Sequence, residues 1–178
     1  MIELMVTIAI IGILIAIVYV SFEESRMSTR DKVRQTTLAD LQLAIETYRT
    51  QTGFYPTQGC GTGGAWATSD TTLAGISTSV CPDFIRGIVP AYIGALPNSS
   101  RPEGRAFAYR SDGNAYKLVV FQAVESGVGT ISSFEDRFAV CPPQSAGLGG
   151  LCAETAAGSG IPANARTYAV YSSGAEAW

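Results

Sequence analysis

Hydrophobic residues follow two different patterns in the N-terminal part of the chain, and both patterns predict helix. Residues 4–22 carry no charge, and at about 1.5 Å rise per residue a helix of this length roughly matches the hydrocarbon core of a bilayer. In residues 25–52 the apolar positions instead recur at spacings of three and four, which is typical of a helix with one buried face. Gly53 supplies a stop signal, and Pro56 prevents the helix from resuming. The pattern therefore predicts one continuous helix of about fifty residues.

The two halves of this helix are expected to have different surroundings. The first half, residues 1–24, is expected to meet lipid or other helices. The second half, residues 25–52, is expected to pack on a domain through one apolar stripe. The stripe consists of Leu38, Leu41, Ile45 and Tyr48. Four polar residues of the same segment are expected to face elsewhere: Arg34, Asp40, Gln42 and Glu46.

The composition changes after the helix, and the change predicts a loop followed by a small sheet. Residues 53–104 are rich in Gly, Ser, Thr and Pro, which predicts a long irregular connection. In residues 105–178 the β-rich runs "RAFAYR" and "AYKLVVFQA" flank an Asp-Gly turn signal, which predicts a hairpin. The runs "DRFAVC" and "TYAVYSSG" are predicted to be further strands. The expected fold is α+β, with the long helix packed on a small antiparallel sheet whose loops carry disulfides.

Four cysteines indicate disulfides and an oxidising compartment. Their wide spacings lack the C-x-x-C pairs that are typical of zinc sites, and an even number suits two disulfides. Four cysteines allow three connectivities, and the sequence alone does not decide among them. Pairing of nearest neighbours is the preferred interpretation. It joins Cys60 with Cys81 and Cys141 with Cys152.

Glu3 is a carboxylate at the tip of the apolar run, where charge is costly. An acidic residue in such a segment is a functional-site hypothesis, because burying it in lipid costs about 2.5 to 3.5 kcal/mol at the bilayer centre and less near an end. A cleaved signal peptide is the alternative interpretation of the run. No Lys or Arg precedes it, its uncharged part is longer than a signal core, and no small-residue cleavage motif ends it. These features favour a retained helix.

Composition argues against catalysis, metal binding and nucleic-acid binding. The chain has no histidine, which excludes Ser-His and Cys-His nucleophiles and histidine metal ligands. Glu135 and Asp136 are adjacent carboxylates without recognisable ligand spacing, so a solvated turn is favoured over a calcium site. A net charge of −3 disfavours non-specific binding to phosphates. We therefore expect no enzyme activity, no cofactor, no metal and no specific nucleic-acid partner.

The opening "IELMVTIAIIGILIAI" and the later "LADLQLAIETYRTQTGFYP" resemble the N-terminal region of type IV pilins and of type II secretion pseudopilins. The resemblance is highly specific over the first two dozen residues and looser over the rest of the helix. It implies that Glu3 pairs with the N-terminal amine of a neighbouring subunit, supplied by Met1 if this residue is the mature terminus. Family members usually begin Phe-Thr-Leu after removal of a basic leader, so either residues precede Met1 or the mature end is unusual.

Three small residues in the apolar run, Ala9, Gly12 and Ala16, lie at offsets of three and four. Such a face allows the close approach of helix backbones. Ordinary membrane-helix composition explains the same residues, because glycine is common there. Both interpretations stay open at the level of sequence. The proline that family members often carry after the membrane segment is absent from "IVYVSFEES".

The resemblance implies a structural subunit that polymerises with copies of itself into an extracellular pilus filament. Before assembly the subunit is expected in the inner membrane with its head outside the cytoplasm. The implied partners are an assembly platform and a prepilin peptidase that also methylates the new amine. A type II secretion pseudopilin or a minor pilin is the nearest alternative. A monomeric membrane-anchored binding domain is the alternative from another class.

Overall fold

The computed structural model describes residues 2–61, 65–69, 78–98, 106–126, 137–140, 167–176 and 178. Its fold is α+β: a long N-terminal helix followed by a head domain built on one sheet. The helix α1 spans Ile2–Thr52. The strands are β1 (Trp66–Thr68), β2 (Thr78–Val80), β3 (Phe107–Ser111), β4 (Tyr116–Val120) and β5 (Tyr168–Tyr171).

Helix α1 is continuous over 51 residues, as the apolar pattern predicts. It ends at Gly53, whose φ of 85° lies in the left-handed region and whose N–H donates to the Arg49 carbonyl oxygen at 2.8 Å. This is the arrangement that glycine favours just after a helix, because a Cβ is strained there. Among the described residues, no helix includes an apolar stretch long enough for a membrane crossing.

We expect Gly53→Ala to lower the free energy of unfolding by about 1–2 kcal/mol, because alanine is strained in the left-handed region. A Cβ at Gly53 would meet no atom within 4 Å, so backbone strain alone produces the loss. Gly94 is the matched control, since it also has open space but no positive φ. Chemical denaturation of Gly94→Ala should give a free energy within about 0.5 kcal/mol of the parent value. Equal losses in the two variants would contradict the strain argument.

The sheet has the strand order β2-β1-β3-β4-β5, and it is mixed. Strands β1, β3, β4 and β5 pair antiparallel in that order, whereas β2 pairs parallel with β1. The predicted antiparallel sheet is therefore wrong at one edge, and the predicted irregular region 53–104 contains two strands. Each of these strands has only three residues, which is too short for an alternating pattern to emerge.

The predicted β3–β4 hairpin is confirmed around its Asp-Gly turn. Asp112 Oδ1 accepts the backbone N–H groups of Asn114 at 2.9 Å and Ala115 at 2.7 Å, and Gly113 takes the positive φ that the turn needs. Strand β5 is also confirmed, within "TYAVYSSG". The predicted strand "DRFAVC" is wrong over its described residues, because 137–140 form a turn and a bend. The Phe138 carbonyl oxygen still accepts the N–H of Ala169 at 3.0 Å.

Hydrophobic side chains cover both faces of the sheet. On the helix side, the predicted stripe is buried at Leu38, Leu41 and Ile45 and half-buried at Tyr48, and it packs on the inward residues of β3, β4 and β5. On the opposite face a second cluster contains Trp66, Ala106, Ala108, Val119, Phe121, Val140 and Ala169. Because both faces are covered, every residue of β4 is buried, although antiparallel strands often leave one face to water.

The predicted disulfide between Cys60 and Cys81 is present, with a sequence separation of 21. It lies beside β2, where the Cys81 N–H donates to the Thr68 carbonyl oxygen at 2.9 Å. The disulfide therefore ties the loop that follows α1 to the edge of the sheet. The predicted pairing of Cys141 with Cys152 and the carboxylates of Glu135 and Asp136 lie outside the described residues.

Candidate functional site

The N-terminal half of α1 carries the residues that the sequence singles out for assembly. Glu3 lies in the first helical turn and is exposed, and Met1 lies outside the described residues. Ala9, Gly12 and Ala16 are exposed on one face of the helix. A Cβ at Gly12 would meet no atom within 4 Å, so packing within one chain does not require glycine at this position.

Large apolar side chains surround these positions and are exposed as well. Ile2 is 77% exposed. Every large apolar side chain in this half of α1 whose burial is described is at least 52% exposed. They are Ile2, Leu4, Met5, Val6, Ile8, Ile10, Ile11, Ile13, Leu14, Ile15, Tyr19 and Phe22. An apolar surface of this extent is a candidate site for contact with lipid or with other helices.

A cluster of charged and polar side chains holds α1 against the head domain. We call this cluster the helix clamp, and its members are Arg30, Asp31, Arg34, Glu125 and Ser126. Asp31 is 2% exposed, and its carboxylate accepts the backbone N–H of Ser126 at 2.7 Å and of Glu125 at 3.1 Å. It also accepts the Ser126 hydroxyl at 2.7 Å. One buried carboxylate therefore holds the chain at residues 125 and 126, beyond the end of β4.

The two arginines of the helix clamp complete the attachment. Arg34 donates to Asp31 at 2.8 Å, to the Ala123 carbonyl oxygen at 2.6 Å and to Glu125 at 2.5 Å. Arg30 Nε donates to the other Glu125 oxygen at 2.9 Å. Burial raises the pKa of the Glu125 carboxyl, but the hydrogen bonds and charges of both arginines outweigh burial and lower it to about 2. Glu125 is therefore ionised at neutral pH and contributes to the attachment.

The helix clamp is not predicted from the sequence, because Arg34 is expected to face away from the domain. One acidic partner of Arg34, Glu125, lies 91 positions along the chain, outside any periodic segment. A signal is nevertheless present, since Asp31 and Arg34 continue the buried stripe at spacings of three and four. Charged residues at such positions indicate a buried ion pair.

Glu46 is a second polar residue that faces the sheet instead of solvent, contrary to expectation. Its carboxylate accepts the hydroxyl of Tyr116 at 3.2 Å and the hydroxyl of Tyr55 at 3.3 Å. Burial, followed by the Glu46 charge, raises the pKa of the Tyr116 hydroxyl. Asp40, by contrast, is exposed as predicted, and Gln42 is half-buried. The predicted outward face is therefore wrong at Arg34 and Glu46.

Lys117 is a fully buried lysine and the second residue of β4. Its Nζ donates to the carbonyl oxygens of Glu176 at 2.8 Å and Trp178 at 2.9 Å and lies 5.1 Å from the centre of the Tyr171 ring. Burial lowers the pKa of the Lys117 ammonium to about 7, although the Glu176 carboxylate acts in the opposite direction. Lys117 therefore attaches the chain around residue 176 to the sheet face opposite the helix.

Within the described part of the chain, no three histidine, cysteine, aspartate or glutamate side chains form a group that could hold a metal ion. Comparisons with protein-family models, with curated proteins and with solved structures find no match. Functional inference for this chain therefore depends on its sequence and on the geometry of α1 and the head domain.

Proposed function

We propose that this chain is a structural subunit of a type IV pilin-like filament and that it polymerises through the N-terminal half of α1. The observation that carries the proposal is the division of one helix into two environments. Residues 31–48 pack on the head domain, whereas the described side chains of residues 2–29 are mostly exposed and include a long apolar surface. Exposed apolar surface of this kind is costly in water, so neighbouring helices are its natural covering in an assembled filament.

Glu3 has a specific role in this assembly. A lone carboxylate is expensive in an apolar surrounding, whereas a carboxylate that faces an ammonium group in a helix bundle is compensated. The resemblance to pilins supplies the ammonium, which is the N-terminal amine of a neighbouring subunit. Pairing then favours one register between subunits, because a displaced neighbour leaves both charges buried and unpaired.

The small residues Ala9, Gly12 and Ala16 support close packing between subunits. They lie on one exposed face, and the space beside Gly12 is empty within the single chain. Small residues at such spacings allow two helix backbones to approach closely. A neighbouring helix in the filament would use this space.

The proposed location of the subunit in the membrane before assembly is inferred from the sequence. Residues 4–22 carry no charge, which suits storage of the unassembled subunit in the inner membrane with its head outside the cytoplasm. The resemblance adds a prepilin peptidase and an assembly platform as partners. The disulfide of the head domain is consistent with folding in an oxidising compartment.

Electron microscopy of material sheared from cells that express the chain at native level tests the proposal. Mass spectrometry should identify this chain as the main component of the filaments. Glu3→Leu is expected to abolish or greatly reduce them, because the charge that sets the register is lost. Glu24→Leu is the matched control, since Glu24 is an exposed carboxylate on the same helix beyond the uncharged run. This control should assemble normally.

The outcomes separate the proposal from its alternatives. Equal filament yields from the parent and Glu3→Leu would overturn the role of Glu3. If the parent forms no long filaments, the chain is not the main subunit of a pilus, and a pseudopilin, a minor pilin or a monomeric anchored domain replaces the proposal. For a monomeric anchored domain, Glu3→Leu is expected to strengthen anchoring without changing function.

A further inference from the structure

A groove in the head domain lies far along the chain from the residues proposed for assembly. It has a volume of about 790 Å³ and lies between the loop that follows α1, the Cys60–Cys81 disulfide and the end of β3. This volume falls within the range of roughly 300–1,000 Å³ that is usual for ligand sites. The lining side chains that could contact a ligand through polar groups include Gln58, Arg86, Arg110, Ser111, Asp112 and Trp178.

Two arginines of the groove have guanidinium groups with N–H donors that could bind a ligand. Arg86 Nη2 donates to the Gly59 carbonyl oxygen at 3.0 Å, and the Arg110 guanidinium lies 4.6 Å from the centre of the Trp178 ring. Among the described residues, neither arginine forms an ion pair, whereas Arg26, Arg30 and Arg34 all do. A guanidinium has several N–H donors in a planar fork that matches the oxygens of a carboxylate or sulfate.

The groove is held in shape by covalent and hydrogen bonds. The Gln58 amide donates to the Ala65 carbonyl oxygen at 3.0 Å and accepts the Ser111 N–H at 3.2 Å. A Cβ at Gly59 would lie 1.6 Å from the Asp83 carbonyl oxygen, so only glycine fits this close backbone contact. A site that is already formed loses less conformational entropy when it binds a ligand.

We propose that this groove binds an acidic saccharide, with a carboxylate or sulfate group of the sugar held between Arg86 and Arg110. The remaining lining suits the hydroxyl groups of a sugar, because Ser111 and Gln58 are polar and Asp112 carries carboxylate oxygens that accept hydroxyl donors. Asp112 also disfavours a densely charged polyanion such as nucleic acid, as does the net charge of −3. Binding at this groove is independent of filament assembly through α1.

Isothermal titration of the full chain in a non-ionic detergent tests the proposal with four probes. The probes are trigalacturonate, a kappa-carrageenan tetrasaccharide that carries sulfate groups but no carboxylate, neutral maltotriose and sodium sulfate alone. Binding is expected for one or both acidic saccharides and for neither control. The identity of the binding saccharide distinguishes a carboxylate ligand from a sulfate ligand. The proposal would be overturned if maltotriose or sodium sulfate bound with the same affinity as the acidic saccharides.

Substitutions of single arginines test whether the saccharide binds in the groove. Arg86→Gln and Arg110→Gln are each expected to weaken binding about 10-fold or more, because each removes a charge-assisted hydrogen bond to the ligand. Arg137→Gln is the control, since Arg137 is exposed and does not line the groove. Arg110 also covers Trp178, so the exposed Arg86 provides the variant that is least able to disturb the fold. Affinities that stay unchanged in Arg86→Gln, or that fall equally in Arg137→Gln, would overturn the assignment.

Discussion

Asp31→Ala is expected to lower the free energy of unfolding by about 3–5 kcal/mol, which is the usual loss when one member of a buried ion pair is removed. The Asp31 carboxylate accepts hydrogen bonds from two backbone N–H groups, the Ser126 hydroxyl and Arg34. Alanine would leave these part-buried donors without their acceptor, and each such donor carries a desolvation cost. The loss therefore exceeds what one surface salt bridge contributes.

Denaturation by guanidinium chloride at pH 7, followed by tryptophan fluorescence from Trp66 and Trp178, measures this loss. Asp40→Ala is the control, because Asp40 is an exposed aspartate on the same helix and lies outside the helix clamp. Its free energy of unfolding should stay within about 0.5 kcal/mol of the parent value. Similar values for Asp31→Ala and Asp40→Ala would show that the helix clamp does not stabilise the head domain.

The helix clamp also explains where α1 changes its surroundings. Counting from the N-terminus of α1, Asp31 is the first residue that is buried against the head domain, among the residues whose burial is described. Toward the N-terminus the described side chains are exposed or half-buried, and the large apolar ones of residues 2–22 with described burial are at least 52% exposed. If α1 forms a filament core as proposed, the helix clamp is the point through which the core holds each head domain.

Long periodic segments could be predicted from the sequence, and short ones could not. The helix, its end at Gly53 and the β3–β4 hairpin follow from local signals that extend over many residues or use strong turn chemistry. Strands β1 and β2 have three residues each and are defined by their neighbours in the sheet. The parallel pairing of β2 with β1 involves only three residues of each strand, so no local pattern predicts the mixed edge of the sheet.

Polar residues in buried positions are the other feature that local sequence patterns do not reveal. Lys117 lies between Tyr116 and Leu118, and this alternation is typical of a strand with a solvent-exposed lysine. The residues around Glu176 and Trp178 instead cover it and accept its hydrogen bonds. Arg34 and Glu46 are misplaced for the same reason, because their partners come from distant parts of the chain. Hydrophobic periodicity locates a core but not the buried polar contacts made across it.

The buried position of Lys117 is expected to make the protein more stable as pH rises from 7 toward 10. Its pKa is about 7 in the folded chain, against an ordinary value of 10.5. Between these two values the unfolded chain binds one more proton than the folded chain, so the free energy of unfolding increases with pH. The slope from this one group approaches about 1.4 kcal/mol per pH unit. Lys117→Met should remove the rise, because methionine does not titrate.

Buried tyrosines limit the pH range over which the free energy of unfolding rises. Burial raises the pKa of the Tyr109 and Tyr116 hydroxyls above their ordinary value of 10.0. Above pH 10 the unfolded chain therefore releases protons that the folded chain retains, and the free energy of unfolding decreases. The parent protein should show a maximum near pH 10, whereas Lys117→Met should show only the decrease above that pH.

Chemical denaturation at unit steps from pH 7 to pH 11 measures both curves. Lys32→Met is the control, because Lys32 is the other lysine of the chain and lies exposed on α1. Its curve should run parallel to that of the parent, because Lys32 lies on α1 and not in the buried surroundings of Lys117. A Lys117→Met curve that also ran parallel to the parent would show that Lys117 keeps its charge in the folded chain. In that case Nζ, Glu176 and the carbonyl oxygens around it would form a compensated ionic site, and burial would not control its protonation.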